Sequence, residues 1–184
     1  MAYYYLMAQL PSLIYEQKPP MSSCEFKELA ISQLNKNDAA LLNCLSLEPS
    51  AEAANGCKFI SNWRVWEYNL RYSLAKERAM KLNRDVSAAE PQVYHMDAAA
   101  AASKASDEFS PLDGENVIDK ARWNAIDSMA GMDYFHRNTV FAYYLKLLLI
   151  ERREAFNTEK GFAEYKSLYA SILESAQNSL GETK

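Results

Sequence analysis

The sequence predicts an all-α protein, a multi-helix bundle with one helical unit or two related ones. Glycine is scarce, with five in 184 residues, which disfavours β-sandwiches, barrels and glycine-rich nucleotide loops. Apolar residues make up 49% of the chain and recur at helical spacing, with no convincing strand alternation. We therefore expect one helical domain over residues 1–184, or two lobes within it.

The tyrosine-rich opening segment, residues 3–20, is compatible with a strand or with a short buried helix ending before Pro11, and we favour the helix. Ser22 followed by Glu25 is a capping box and predicts a helix start. Asn37 or Asp38 then caps a short helix that continues through Leu45. Residues 46–58 are expected to form an exposed loop, because Pro49 and Asn55-Gly56 break regular structure.

The third predicted helix runs from a cap at Asn62 to Met80. Its apolar stripe consists of Trp63, Trp66, Leu70 and Leu74. A second capping box, Ser87 with Glu90, predicts another helix start beside Pro91. The run Ala98–Ala102 favours helix but is expected to bury little surface. Residues 87–106 therefore fit a slender helix or a hinge between lobes 1–86 and 107–184.

In the C-terminal half, Ser110-Pro111 predicts a helix entry and Gly131 its end. The central helix follows over Asn138–Phe156. It is apolar on nearly every side for three turns, so we expect neighbours on several sides. Thr158 is a candidate cap for a last helix with a broad apolar face, formed by Phe162, Tyr165, Leu168, Tyr169, Ile172, Leu173 and Ala176.

The helices 62–80 and 138–156 align with each other. Trp66 falls on Phe141, Leu70 on Leu145, and the pairs Val65–Val140, Tyr68–Tyr143 and Arg78–Arg153 also coincide. A duplicated helical unit explains this match. The period that any two amphipathic helices share explains it equally, and both explanations stay open here.

The charge pattern excludes some classes of function. The net charge is −4, and the excess lies between Asp97 and Asp133, where eight acidic residues face three basic ones. The lack of a basic stripe argues against a nucleic-acid partner. The three widely spaced cysteines are expected to be reduced thiols. No leader pattern or membrane-length apolar run is present, which predicts a soluble, cytoplasmic protein.

No residue pattern predicts a catalytic, cofactor-binding or metal-binding site. His95 lacks a second ligand at helical spacing. Asp133 and His136 are the best candidates for a small-ligand enzyme, which is the least favoured function. Lys146, inside the apolar run, is expected to extend its stem to solvent rather than pair with a carboxylate on a neighbouring helix.

Twelve tyrosines are a high number for this length, and several are adjacent. Adjacent aromatic residues of one helix cannot all face one core, and tyrosine is enriched at interfaces. The alternative is that they pack in the core. The predicted protein-interface residues are Tyr3, Tyr4, Tyr5, Tyr143 and Tyr144, together with Arg152 and Arg153 at the end of the central helix.

Ordered motifs along nearly the whole chain carry a resemblance. They are Tyr3-Tyr4-Tyr5-Leu6, Leu10-Pro11-Ser12-Leu13, Pro19-Pro20, Ser22 with Phe26, Trp63 with Asn69-Leu70-Arg71, Arg122-Trp123, and Tyr143 to Gly161 with Leu145-Lys146-Leu147, Glu151-Arg152 and Phe156. In these motifs the chain resembles a small bacterial family encoded in V-type ATPase operons. That family is similar in turn to the C-like (d-like) stalk proteins of V/A-type ATPases.

That resemblance implies a non-catalytic accessory or central-stalk-like subunit. It would link or scaffold ATPase subunits of the central stalk or membrane ring, and lie at the periphery of the inner membrane. The C-like stalk proteins are helical, built from repeated units and considerably longer than this chain. A stand-alone helical adaptor or assembly factor for the ATPase is the alternative.

Overall fold

The computed structural model describes residues 2–48, 56–86, 88–156 and 158–181, with side chains except at 158–160, 174 and 176–181. These residues contain eight α-helices and no β-strand, which confirms the all-α prediction. The helices are α1 (Tyr4–Gln9), α2 (Ser23–Gln33), α3 (Lys36–Asn43), α4 (Lys58–Lys81), α5 (Met96–Asp107), α6 (Pro111–Ala130), α7 (Arg137–Glu154) and α8 (Thr158–Gly181).

Several predicted helix boundaries are confirmed. The Ser22 hydroxyl accepts the amide of Glu25 at 3.2 Å, and the Glu25 carboxylate accepts the Ser22 amide at 2.8 Å, completing the capping box. Pro111 occupies the first turn of α6, where its missing N–H costs nothing. Gly131 ends α6 with a φ of 79°, a left-handed value that glycine adopts without strain.

Two predicted caps were wrong. The side chain of Asn35, rather than Asn37 or Asp38, caps α3 by accepting the Asp38 amide at 2.8 Å. Asn62 lies inside α4, which begins at Lys58 and so includes the buried side chains of Phe59 and Ile60. An apolar residue pair ahead of a polar one can extend a helix past a potential cap when tertiary packing covers it.

The predicted helix start near Glu90 was also wrong. Residues 88–95 are not helical, and α5 begins at Met96. The Asn69 side chain on α4 accepts the His95 amide at 3.1 Å, and the Tyr68 hydroxyl donates to the Ala89 carbonyl at 2.6 Å. These bonds hold the segment against α4 without helical turns. Ser87, like residues 49–55 of the predicted loop, lies outside the described residues.

The chain divides into two compact units, Met1–Glu151 and Arg152–Lys184. The alanine-rich helix α5 belongs to the first unit, where it packs on α4 and α6. Ala98 and Ala102 are fully buried, so the expectation that this run buries little surface is wrong. Small side chains let the backbones approach closely: a Cβ on Gly114 of α6 would lie 2.9 Å from the carbonyl oxygen of Ala105.

Helix α7 has neighbours on several sides, as its apolar circumference predicts. Phe26 of α2 lies 4.9 Å from Tyr143 and 6.0 Å from Tyr144 between ring centroids, and Phe59 of α4 lies 6.1 Å from Phe141. Most residues from Val140 to Ile150 are buried, which places the helix in the centre of the core.

Lys146 differs from its expected role. Its ammonium group pairs with the Asp127 carboxylate on α6 and lies 4.5 Å from the centroid of the Trp123 ring. The Asp127 carboxylate and the face of the Trp123 ring both stabilise the positive charge of Lys146. The ammonium group therefore binds to α6 instead of extending into solvent.

Only some of the aligned positions of α4 and α7 are buried in both helices. Trp66 and Phe141, and Leu70 and Leu145, are buried in both helices. Val65 and Tyr68 are exposed where Val140 and Tyr143 are buried, because these two positions of α4 lie on a face that is open to solvent. The similarity is limited to the face that each helix turns inwards, and a duplication stays a prediction.

Helix α8 forms most of the second unit. Every described side chain from Gly161 to Leu173 is exposed. This includes the predicted apolar face, whose members Phe162, Tyr165, Leu168, Tyr169, Ile172 and Leu173 are between 45% and 62% exposed. The side chains of Thr158 and Ala176 lie outside the described residues. The apolar face exists as predicted, and its described members are open to solvent.

Candidate functional site

An exposed aromatic patch lies where the start of the chain meets the connection between α6 and α7. It consists of Tyr4 and Tyr5 from α1 and Tyr134 and Phe135 from the connection. The Tyr4 and Phe135 rings are 4.7 Å apart between centroids, and the other two residues neighbour them in sequence. Tyr4 is 63% exposed, Tyr5 74% and Tyr134 76%. We call these four residues the aromatic patch.

A backbone junction holds the two segments of the patch together. The Tyr3 amide donates to the Phe135 carbonyl at 2.6 Å, and Ala2 forms an isolated antiparallel bridge with His136. Residues 2–3 therefore pair like strands with residues 135–136, although neither segment continues into a sheet within the described chain. The junction brings residues more than 130 positions apart into contact.

The side chain of Tyr3 anchors this junction in the core. Its hydroxyl donates to Asp38 at 2.5 Å and accepts the Asn35 amide group at 2.9 Å. Asn35 also donates to Asp38 at 3.0 Å, and Arg137 donates to it at 3.3 Å. Asp38 is thus a buried carboxylate shared by a tyrosine, an amide and a guanidinium.

The environment of Tyr3 favours its neutral form. Burial and the hydrogen bond to the Asp38 carboxylate raise the pKa of Tyr3 to about 12. Tyr3 therefore stays a hydrogen-bond donor at neutral pH. Tyr3 thereby fixes the backbone just before Tyr4, so the aromatic patch is attached to a segment that is held in place.

The arrangement suits binding to another protein. Tyrosine rings offer a large apolar area with a polar tip, and few of their torsions must be fixed on binding. An exposed cluster of aromatic residues on a fixed backbone loses little entropy when a partner covers it. No group in the patch is a strong acid, base or nucleophile at neutral pH.

The other predicted interface tyrosines lie elsewhere. Tyr143 and Tyr144 are buried against Phe26 of α2, and the Tyr143 hydroxyl donates to the Pro11 carbonyl at 2.9 Å. Burial raises the pKa of Tyr143 to about 12, and burial and the nearby Glu151 raise the pKa of Tyr144. Tyr3 is 7% exposed. The fold leaves little of these three rings to a partner.

Arg152 and Arg153 are partly exposed and stand at the start of the second unit. The Arg152 guanidinium lies 5.7 Å from the centroid of the Phe156 ring. Just before them, Glu151 accepts both the amide and the hydroxyl of Ser23 at 2.6 Å. This glutamate satisfies a free donor at the start of α2, where the helix dipole favours a negative charge.

Asp133 and His136 act within their own turn. The Asp133 carboxylate accepts the Phe135 amide at 3.1 Å, and the His136 ring accepts the Asn138 amide at 3.2 Å through Nδ1. These bonds shape the connection that carries the aromatic patch. Neither residue lines the cavities described along α4, α6 and α7.

A buried charge cluster lies between α4 and α6. Glu67 is fully buried and accepts two hydrogen bonds from Arg122, at 3.0 and 2.8 Å, and one from Arg71 at 2.9 Å. Arg122 also donates to Asp119 at 2.9 Å. Burial by itself would lower the pKa of Arg122, but the hydrogen bond and charge of Glu67 reverse the effect and raise it.

A cavity of about 670 Å³ opens beside this cluster, between α4 and residues 90–93. Glu67 and Arg71 contribute to its wall, but both oxygens of Glu67 already accept from arginines. The carboxylate of Glu67 is therefore already used in holding α4 and α6 together.

The described residues contain no cluster of three or more metal-ligating side chains. Among those residues no helix has both the length and the apolar character of a membrane span.

The fold and the site together define an all-helical protein that carries an exposed aromatic patch on an anchored segment. A family model described as "Protein of unknown function (DUF2764)" matches residues 50–175, which is more than half of the chain. The protein therefore belongs to that family. Comparison with curated proteins and with solved structures found no match.

Sequence reasoning missed Tyr134 and Phe135. The signal was present: Met132, Tyr134 and Phe135 are large apolar residues in a short connection after Gly131, where polar residues are usual. The pairing of this connection with residues 2–3 is not visible in either segment by itself.

Proposed function

We propose that this protein is a non-catalytic accessory or central-stalk-like subunit of a bacterial V-type ATPase, and that the aromatic patch is its docking surface. The observation that carries the proposal is the combination of exposure and anchoring. Tyr4 and Tyr134 are mostly exposed, while Tyr3 beside them is tied to the buried Asp38.

Covering the four aromatic residues of the patch would contribute favourably to the binding of a partner. Burial of apolar surface contributes about 25 cal/mol per Å², and an aromatic side chain contributes about 150–250 Å². Such residues are the usual centres of binding energy in protein interfaces. The patch therefore supports a function in assembly rather than in chemistry.

The choice of partner is supported by the resemblance of the chain, in its ordered motifs, to a family encoded in V-type ATPase operons. Those motifs include Tyr3-Tyr4-Tyr5, which supplies half of the patch and its anchor. The partner would be a protein of the central stalk or membrane ring. This would bring the chain to the inner membrane through its contacts with the ATPase.

The test is purification of the tagged protein from its native host under gentle conditions. We expect V-type ATPase subunits to co-purify in fixed stoichiometry with the wild-type chain. The double variant Tyr4→Ala/Tyr134→Ala should lose them while its melting temperature stays close to that of the wild type. Tyr94→Ala is the matched control, because Tyr94 is equally exposed but lies outside the patch.

Two results would overturn the proposal: ATPase subunits that never co-purify, and proton pumping that survives deletion of the gene. A third result would favour the alternative of an assembly factor. In that case the protein would be recovered in less than stoichiometric amounts and would be missing from the mature complex in native mass spectrometry.

A further inference from the structure

The exposed apolar face of α8 has the spacing of a coiled-coil seam. Phe162, Tyr165, Tyr169 and Ile172 are separated by three, four and three residues. This is the a-d-a-d pattern of a heptad, in which Leu168 takes a g position and Leu173 an e position. A seam of this kind fits another helix rather than a sheet or a small ligand.

The aromatic side chains of the seam are already aligned along the helix. The rings of Tyr165 and Tyr169 are 6.2 Å apart between centroids and nearly parallel, at 18°. The ammonium group of Lys166 lies 4.5 Å from the centroid of the Phe162 ring. Most helical stability in proteins comes from covering such a face, and here the described side chains of the face are exposed.

From these observations we propose that α8 pairs with α8 of a second copy of this chain as a parallel two-stranded coiled coil. In a parallel pair, a g residue faces the e residue five positions later on the other helix. Leu168 would then face Leu173, and Gly161 would face Lys166. No like charges face each other at these described positions, so charge repulsion does not oppose the pairing.

The exposed area is sufficient for a weak, specific dimer. The six exposed side chains of the seam and its edges offer roughly 600 Å² per chain, if each fully exposed ring or aliphatic side chain contributes about 150–200 Å². Specific interfaces start near about 600 Å² per partner. A pair formed by these residues therefore lies at the lower end of that range, and its formation should depend on concentration.

This inference is independent of the proposed function, because it concerns the purified chain and the aromatic patch takes no part in it. The experiment is sedimentation equilibrium of the full-length protein over a range of micromolar concentrations. We expect a dimer of twice the 20.9 kDa of one chain at the higher concentrations. Ile172→Glu should weaken dimerisation by about tenfold or more, because it places an unpaired charge in a dry seam.

Ser167→Glu is the matched control. It adds the same charge away from the seam, at an f position, and should leave the dimer intact. Both residues are exposed in the single chain, so neither change should alter the thermal unfolding of the first unit. Tyr4→Ala/Tyr134→Ala should also leave the dimer intact, which separates this inference from the proposed function.

Orientation is tested by a cysteine at Ile172 in a Cys24→Ser/Cys44→Ser background, since those two native thiols are exposed. Oxidation should give a disulfide-linked dimer for Ile172→Cys and none for Ser167→Cys. A dimer without this cross-link would overturn the parallel arrangement. A chain that stays monomeric, yet loses ATPase subunits through Ile172→Glu, would overturn self-association and assign the seam to a partner helix.

Discussion

The carboxylate of Glu67 on α4 faces the guanidinium of Arg122 on α6 through two hydrogen bonds, at 3.0 and 2.8 Å. Both side chains are buried, and Asp119 accepts a third bond from the same guanidinium at 2.9 Å. This is the geometry in which arginine binds a carboxylate most strongly. It ties together two helices that pack against each other.

Arg122→Met is expected to lower the free energy of unfolding by about 3–5 kcal/mol, because it leaves Glu67 and Asp119 buried with too little positive charge. Arg71→Met should cost less than about 1 kcal/mol, since that arginine is about half exposed. Urea unfolding measures both. The double variant Glu67→Met/Arg122→Met should cost less than the sum of its two single changes. A small effect of Arg122→Met would contradict this account.

Leu147→Ala and Leu148→Ala form a matched pair in the central helix. Leu147 is fully buried, so its truncation should cost about 2–5 kcal/mol. Sequence reasoning predicts the same loss for Leu148 if it is buried, but Leu148 is only partly buried. Its truncation should cost clearly less, at most about half as much. Equal losses of stability in urea unfolding would contradict the difference in burial between Leu147 and Leu148.

Alkaline pH is expected to destabilise the protein between pH 10 and 12 through Tyr3. Its folded pKa of about 12 lies above the ordinary value of 10.0, so the unfolded chain releases the proton first. The contribution of this group to stability is therefore complete below pH 10 and lost as the pH rises to 12. Tyr3→Phe should reduce the dependence of the urea midpoint on pH in this range.

Tyr5→Phe is the control for this titration, because the Tyr5 side chain is exposed and holds no position in the Asp38 network. Tyr143 also has a pKa raised to about 12, so Tyr143→Phe should reduce the slope as well. If Tyr3→Phe left the alkaline slope unchanged, the raised pKa of Tyr3 would be contradicted.

Gly114→Ala tests the close approach of α5 and α6. Alanine is favoured over glycine inside a helix by about 1 kcal/mol. At this position, however, the new Cβ would lie 2.9 Å from the carbonyl oxygen of Ala105, and overpacking of this kind costs about 1–3 kcal/mol. We expect net destabilisation in thermal unfolding. Gly161→Ala is the control, since nothing lies within 4 Å of its added Cβ, and it should strengthen α8.

Much of the fold is predictable because local signals act over a few residues. The Ser22–Glu25 capping box, Pro111 and Gly131 each set a helix boundary through bonds or torsions within one turn. The helical period of the apolar residues predicted the all-α class and the central position of α7. Boundaries failed where distant residues decided them, as at Lys58, where packing of Phe59 and Ile60 extends α4 beyond Asn62.

The candidate site was only half predictable. Tyr4 and Tyr5 were selected as interface residues from the density of tyrosine in the sequence, and they are exposed. The same reasoning selected Tyr143 and Tyr144, which the core covers. Composition reports how many aromatic residues exist, but not which of them a neighbouring helix such as α2 will bury.

The sequence by itself determined the helical class, most of the helix count and the apolar seam of α8, because helical period and capping are local properties. Only the tertiary structure decided that residues 2–3 pair with residues 135–136, and that Glu67 and Arg122 meet. It also decided which tyrosines are buried and which stay exposed. These features depend on contacts between residues far apart in sequence, and a local sequence pattern does not specify such contacts.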